Sequence, residues 1–426
     1  MADEKELKPR LGLLDATAIN VGAIIGAGIF VVTGIVAGLA GSALVVSMAL
    51  AAVTAIFTAL SFAELTAWLP REGSVYEFGY RLVSPTAGFL GGWMWILSNV
   101  FSGAAVSLGL GNYVAALVPG LSPSLIAATA CLLFTGLNYV GIQHSAELND
   151  ILVAAKLIIL GFFIAYGLLY VDASNFEPFR PLDAGVLYGA FYIFFAYGGF
   201  ARVAVVAEEI KDAKRIVPRA IILSLMISTV FYVLVGIVAV GLVGASSLSG
   251  SGHPLALAMG ATGSPAAVLL VSFGGVISTA SVLLTSILGV SRLAFAMSRR
   301  GDLPEALSRI HPRFGSPHIS VVIAGMLMTG LALLVDLNNV VAIGTFAMLF
   351  YYGVSNFSAM KLPEGDRRYP PAVPVVGAVI CIAFLAFVLF ASPQAWVSGV
   401  AGLLIGVVYF KFIAGRRRRG AAQSTV

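Results

Sequence analysis

The chain has 426 residues, of which 59% are hydrophobic and 11% charged, with a mean hydropathy of +0.98. Soluble domains carry about 25% charged residues, and a single water-soluble core stops growing near roughly 250–300 residues. These figures exclude a soluble enzyme or scaffold and require lipid as part of the solvent.

Apolar runs of about 20 residues, enough to cross about 30 Å of hydrocarbon, recur along the whole chain. In order, the predicted spans are Asp15–Ala40, Ser42–Leu69, Pro85–Val118, Ser122–Ile142, Asn149–Val171 and Asp183–Ile210. Val217–Val243, Ala266–Ser298, Ile319–Leu337, Val340–Met360, Val373–Ser392 and Trp396–Ile413 follow, giving about twelve. The third and eighth are long enough to tilt or protrude. Alternating ten-residue strands, the pattern of a membrane barrel, are absent from the sequence. The expected class is all-α and polytopic.

All but three of the 25 lysines and arginines fall at the termini or in every second loop, so both termini are expected in the cytoplasm of a cell-membrane protein. The exceptions are Arg180, in an opposite loop, and Lys156 and Arg202, inside spans. The net charge of +5 is thus a product of topology and implies no nucleic-acid partner. Arg416–Arg419 reads as an anchor to anionic lipid. Cys131 and Cys381 lie within spans and read as small core residues. Residues 1–12 form a polar cytoplasmic segment without a cleavable signal pattern.

Two spans contain clustered glycine near their middles. The first carries Gly22, Gly26, Gly28 and Gly34, and the sixth carries Gly189, Gly198 and Gly199. Each is the first of five spans, so the clusters occupy matching places in two halves. Matched interruptions of this kind are the best sequence pointer to a transport site. A half-helix that begins at a break aims amide N–H groups at the midplane, which suits a carboxylate; one that ends there aims carbonyls, which suit an ammonium. The competing reading is helix packing, since small residues let backbones touch.

Lys156, in Leu152-Val153-Ala154-Ala155-Lys156-Leu157, has no acid nearby in sequence. It reads either as a proton-carrying group beside the site or as a side chain that snorkels to the cytoplasm. Arg202 follows the second break and reads as structural or as a gate with Glu64, Glu208 or Glu209. His144 and His253 are expected to be solvated loop residues.

Several strings resemble the amino acid–polyamine–organocation superfamily of amino acid permeases. They are Val21-Gly22-Ala23-Ile24-Ile25-Gly26-Ala27-Gly28-Ile29-Phe30; Phe62-Ala63-Glu64-Leu65 with Pro70, Gly73, Ser74 and Tyr76; and Asn138-Tyr139-Val140-Gly141 with Lys156. Phe195-Ala196-Tyr197-Gly198-Gly199-Phe200 with Ala207-Glu208-Glu209, and Ser291-Arg292 with Gly301-Asp302-Leu303-Pro304, complete the set. The resemblance covers nearly the whole length.

It implies a LeuT-like five-plus-five inverted repeat with discontinuous first and sixth helices. The ten-helix core would occupy residues 13–362, as repeats 13–172 and 180–362, followed by two peripheral helices (363–414) and a basic tail (415–426). The substrate carboxylate would meet amides around Gly26, Ala27, Gly28 and Ile29, and its ammonium the carbonyls of Ile24, Phe195, Ala196 and Gly198. Ile25 and Tyr197 complete these stretches, and Phe200 would cap the site as an aromatic gate. Lys156, with Ser278 or Ser281 nearby, would replace a sodium ion and favour proton coupling. Many members have an acid where this chain has Ala201, followed by Arg202, which puts any mechanism needing that acid in doubt. The expected function is proton-coupled symport of L-amino acids, neutral ones first, in a lipid bilayer. Exchange, or a polyamine or cationic amino acid carrier of the same fold, is the alternative. No cofactor or metal is expected, and no metal cluster, nucleophile–base pair or nucleotide loop marks an enzyme. A channel would need a repeated polar stripe, and no span carries one.

Overall fold

In the computed structural model the described residues are 11–26, 28–70, 73–118, 120–140 and 146–414. They are helical apart from turns and one isolated parallel bridge, Leu11 to Ile210. Nine helical stretches among them are long and apolar enough to cross a membrane, the first being the 56-residue run Leu13–Trp68. Pro123–Tyr139 and His318–Leu334 are shorter apolar helices.

The first run is not one rod. Helix α1 (Leu13–Ile24) begins with Asp15 accepting the Gly12 N–H at 2.7 Å and stops where Ile25 leaves helical geometry, at ψ 88°. A π-helical turn (Gly28–Val32) resumes the path into α2 (Thr33–Ala40). Gly41 then adopts φ +58°, a left-handed value that a side chain would oppose, and turns the chain into α3 (Leu44–Trp68).

The next elements are α4 (Ser74–Leu82), α5 (Pro85–Leu117), α6 (Pro123–Tyr139) and α7 (Ala146–Gly167). Ser84 caps α5 by accepting the Ala87 N–H, with Pro85 in the first turn where its missing donor is harmless. Asp183 caps α8 (Ala184–Tyr197) in the same way. From Gly198 to Glu209 the chain tightens into 3-10 geometry for 12 residues. Runs of 3-10 helix longer than three or four residues are uncommon, and one in mid-span marks a break in the rod.

Helices α9 (Ala213–Leu248), α10 (Pro254–Gly260), α11 (Pro265–Arg299), α12 (His318–Leu334) and α13 (Leu337–Met360) follow. The chain closes with α14 (Ala372–Ala391) and α15 (Pro393–Tyr409). Helix α9 outruns the predicted Val217–Val243 because a second helical piece continues past Gly244, at φ +74°. Helices α4 and α10, at nine and seven residues, lie in stretches expected to be loops and are too short to register as spans.

Long α5 packs against α6, α11 and α13, while α3 packs against α8 and α9. At 33 and 35 residues, α5 and α11 run about 50 Å at 1.5 Å per residue, so they must tilt or protrude from a 30 Å core. The most enclosed stretches are Ala184–Ala204 (78% buried) and Leu337–Met360 (72%), whereas Pro393–Phe412 is 17% buried and lies outermost. Exposed Ile158, Met226, Phe390 and Leu404 form the outer apolar surface that hydrocarbon would cover. The interrupted helices are therefore in the protected interior, where irregular backbone can be satisfied by protein.

Candidate functional site: two helix breaks around one cavity

The two glycine clusters meet. An added Cβ on Gly28 would lie 2.5 Å from the Ala196 Cα, and one on Gly199 would lie 2.4 Å from the Ala23 carbonyl carbon. Each break is thus in backbone contact with the other, and no side chain fits between them. Gly26 is also closely packed, with its Cβ position 2.5 Å from Val282 Cγ2. Packing and unwinding, posed above as alternatives, turn out to be one arrangement: the helices break where they touch.

Beside this contact is a cavity of about 50 Å³. At roughly 10–15 Å³ per ordered water, it holds three to five. Its walls come from the first break (Ala23, Ile24, Gly26, Gly28) and the second (Phe195, Ala196, Gly198, Gly199, Arg202). Helix α5 adds Ser98, Asn99, Ser102 and Val106; α11 adds Val282 and Ser286; α13 adds Met348 and Tyr351.

Of the residues expected in the site, Ile24, Gly26, Gly28, Phe195, Ala196 and Gly198 line this cavity. Ile25, Ile29, Tyr197 and Phe200 do not, and Ala27 lies outside the described residues. Tyr197 packs edge-on against Tyr232 and donates to the Met48 carbonyl at 3.3 Å. Phe200, expected as a gate, is fully buried behind the wall. It stacks on Tyr352 at 5.0 Å and meets Phe62 edge-on, so in this conformation it caps nothing.

Breaking a helix leaves its last carbonyls without donors. Tyrosine hydroxyls supply several of the missing bonds. Tyr232 Oη lies 2.7 Å from the Ile24 oxygen and 3.0 Å from the Ala196 oxygen, bridging the two breaks. Tyr352 donates to the Gly198 carbonyl at 2.9 Å, and Tyr113 to the Phe30 carbonyl at 2.7 Å. All four carbonyls expected to hold an ammonium therefore already have a donor beside them, the Phe195 oxygen through the Gly198 N–H. Asn20 Oδ1 accepts the Val203 N–H at 2.9 Å and ties α1 to the 3-10 segment. None of these polar residues stood out in the sequence, because nothing local marks which tyrosine ends beside a freed carbonyl.

Lys156 is buried on α7 and does not reach water. Its Nζ donates to the Gly22 carbonyl at 3.1 Å, one turn before the first break, and to Ser281 Oγ on α11 at 2.6 Å. Snorkelling is ruled out in this conformation. Ser278 does not touch the amine; its hydroxyl has no partner among the described residues. Lys156 lies outside the cavity wall and pins α1 to α11.

Arg202 does line the cavity, but does not pair with Glu64. Its Nη1 donates to the Thr285 carbonyl at 3.2 Å and its Nη2 to Asn99 Oδ1 at 3.4 Å. Glu64 accepts the backbone N–H groups of Arg368 and Tyr369, and so holds the loop after α13. The side chains of Glu208 and Glu209, and all of His144, lie outside the described residues. His253, expected to be solvated, is half-buried edge-on against Tyr113, and burial pushes its imidazole below the usual range.

Comparison with known proteins agrees with this architecture. A family model described as amino acid permease matches residues 11–410. The chain is similar to the branched-chain amino acid permease BcaP of Bacillus subtilis, at 34% identity over 96% of this chain and 94% of that one. It is 32% identical to the methylthioribose transporter of the same organism, over 96% and 94%. Cationic amino acid transporter 4 of Mus musculus is 31% identical over 88% of this chain and 63% of its own length. A multi-pass helical chain matched this fully belongs to the amino acid permeases of the amino acid–polyamine–organocation superfamily and is a transporter, not an enzyme.

Proposed function

We propose that the protein carries L-amino acids, neutral ones first, across the cell membrane by proton-coupled alternating access. One observation carries this reading: the carbonyl ends of α1 and α8 and the restart of the first helix surround one cavity. Such an arrangement suits a zwitterion, with carbonyls on the ammonium and the amides of Gly26 and Gly28, which line the cavity, on the carboxylate.

Charge supports neutral over cationic side chains. Arg202 is the one ionic side chain on the cavity wall among the described residues, and its positive charge repels lysine-like or polyamine substrates. Lys156 is the proposed proton carrier. It occupies a buried position between the first break and α11 with no carboxylate beside it among the described residues, where an ammonium can stand in for a metal cation. The twelve crossings, the inverted repeat joining residues 13–172 to 180–362, and cytoplasmic termini belong to the same proposal.

Purified protein in liposomes provides the test. Labelled neutral amino acids are expected to enter under an inward pH gradient without sodium. Uptake only into vesicles preloaded with amino acid would establish exchange instead, and a strict sodium requirement would end the proton reading.

A further inference from the structure

We propose that Arg202 and Ser286 form a subsite in the cavity for a second anionic group, beyond the substrate's own α-carboxylate. The inference rests on the amino acid transport reading and deepens it by naming the charge that the site takes. That group is either the side-chain carboxylate of an acidic substrate or a chloride ion bound beside a neutral one.

A guanidinium has five N–H donors in a fixed fork. For Arg202, two bonds are present, both to neutral acceptors: the Thr285 carbonyl and, at the long distance of 3.4 Å, Asn99 Oδ1. No carboxylate among the described residues pairs with it. The ion pairs among the described residues are Arg81–Glu77, Arg215–Asp212 and Arg300–Glu77, none of which involves the cavity. A charge at membrane depth is costly unless something compensates it, and such residues mark ion or substrate paths.

Ser286 is an independent observation. It is 1% exposed, lines the same cavity, and its hydroxyl has no hydrogen-bond partner among the described residues. Buried hydroxyls are nearly always satisfied, so an unpartnered one in the wall of a cavity calls for a ligand. It directly follows Thr285, whose carbonyl orients the guanidinium. Gly289, one turn further along α11, completes the seat: a Cβ there would lie 2.7 Å from Arg202 Nη1 and 3.1 Å from Trp95 Cη2. One turn of α11 thus supplies a carbonyl that aims the arginine, a gap that admits it, and a free hydroxyl beside it. Lys156 cannot serve here, since its amine is engaged by Gly22 and Ser281 away from the wall.

Bidentate capture of a carboxylate matches the fork of Arg202, with Ser286 donating a third bond. Chloride would accept the same donors as a point charge. Both give one prediction: the cavity distinguishes anions, and the distinction depends on Arg202.

The experiment uses the full-length protein in liposomes, with choline chloride or choline gluconate on both sides. Labelled glutamate, aspartate, leucine and alanine are compared for the parent and for Arg202→Gln, Arg202→Lys and Ser286→Ala. If the anion is a side chain, glutamate or aspartate is carried in either salt. Arg202→Gln then lowers acidic over neutral uptake at least tenfold, Arg202→Lys retains part of the preference, and Ser286→Ala weakens it severalfold. If the anion is chloride, neutral uptake falls at least fivefold in gluconate and Arg202→Gln removes that dependence. The inference is overturned if the parent shows neither acidic uptake nor chloride dependence. It is equally overturned if Arg202→Gln scales every uptake by one factor in both salts, which would place the α-carboxylate on Arg202.

Thermal unfolding of the detergent-purified protein separates this inference from the transport reading. Chloride or glutamate is expected to raise the parent's midpoint by a few degrees over gluconate, with no rise for monodisperse Arg202→Gln. A midpoint that responds while no amino acid is carried sinks the transport reading and keeps the anion subsite. Amino acid uptake with an anion-indifferent midpoint and no anion dependence of transport does the reverse.

Discussion

The two breaks use the same residue type for different physical ends. At the first, the α-helix stops at Ile24, swings through Ile25 and restarts as a π-helical turn, so the axis is interrupted within a few residues. At the second, α8 does not swing away but narrows at Gly198 into 12 residues of 3-10 helix. The first break is tied by charge, through Lys156 on the Gly22 carbonyl; the second is followed by Arg202 facing the cavity. The Tyr232 hydroxyl bridges the two. The glycines differ too. Gly28 and Gly199 press on backbone, which cannot yield, whereas a Cβ on Gly198 would meet only the flexible end of Met348, at 2.6 Å. The lesson is that a break can be rigidly seated on one side and adjustable on the other, as a moving gate needs.

Substitutions can break this contrast. The largest effect is expected for Gly28→Val, whose branched side chain must displace the Ala196 backbone. Uptake should vanish while membrane insertion and expression persist, and retained transport would remove the break-to-break contact from the mechanism. Lys156→Ala comes next. It removes the charge tied to the first break, so accumulation against a gradient should be lost and uptake should no longer respond to an imposed pH difference. Normal pH-driven accumulation would make Lys156 a structural pin.

Tyr232→Phe deletes one hydroxyl shared by two carbonyls. A buried hydrogen bond left unmade costs about 1–3 kcal/mol, so uptake at low substrate should fall about 5- to 150-fold with a lower unfolding midpoint. An unchanged rate would show that the breaks hold together without the bridge. The smallest effect belongs to Gly198→Ala, where Met348 can rotate aside; uptake within about threefold of the parent is expected. A loss as deep as that of Gly28→Val would mean that both breaks are equally unyielding.

Much of the architecture was legible in the sequence because lipid imposes simple rules. Hydropathy located the apolar helices within a few residues, since a span must satisfy its own backbone and cover about 30 Å. The ends of α9 and the existence of α4 and α10 were missed, because short amphipathic pieces and a kink such as Gly244 leave hydropathy unchanged. The clusters at Gly26–Gly28 and Gly198–Gly199 marked the breaks, since glycine within an apolar helix is unfavourable unless backbones meet. Phe200 shows the limit: its place next to the second break suggested a gate, while Phe62 and Tyr352 enclose it behind the wall.

The amino-acid sequence by itself determined the membrane class, the interrupted first and sixth predicted spans, and the placement of Lys156 and Arg202 inside apolar spans. Those are properties of neighbouring residues, and local composition expresses them fully. Only the tertiary structure decided that the breaks touch, that Lys156 reaches Gly22 and Ser281, and that Tyr113, Tyr232 and Tyr352 complete the freed carbonyls. It likewise placed Arg202 over Gly289 and in the same cavity wall as Ser286, more than 80 positions away. A hydrogen bond acts only within about 3 Å and has no sequence period, so its existence between distant segments is settled by how the helices pack.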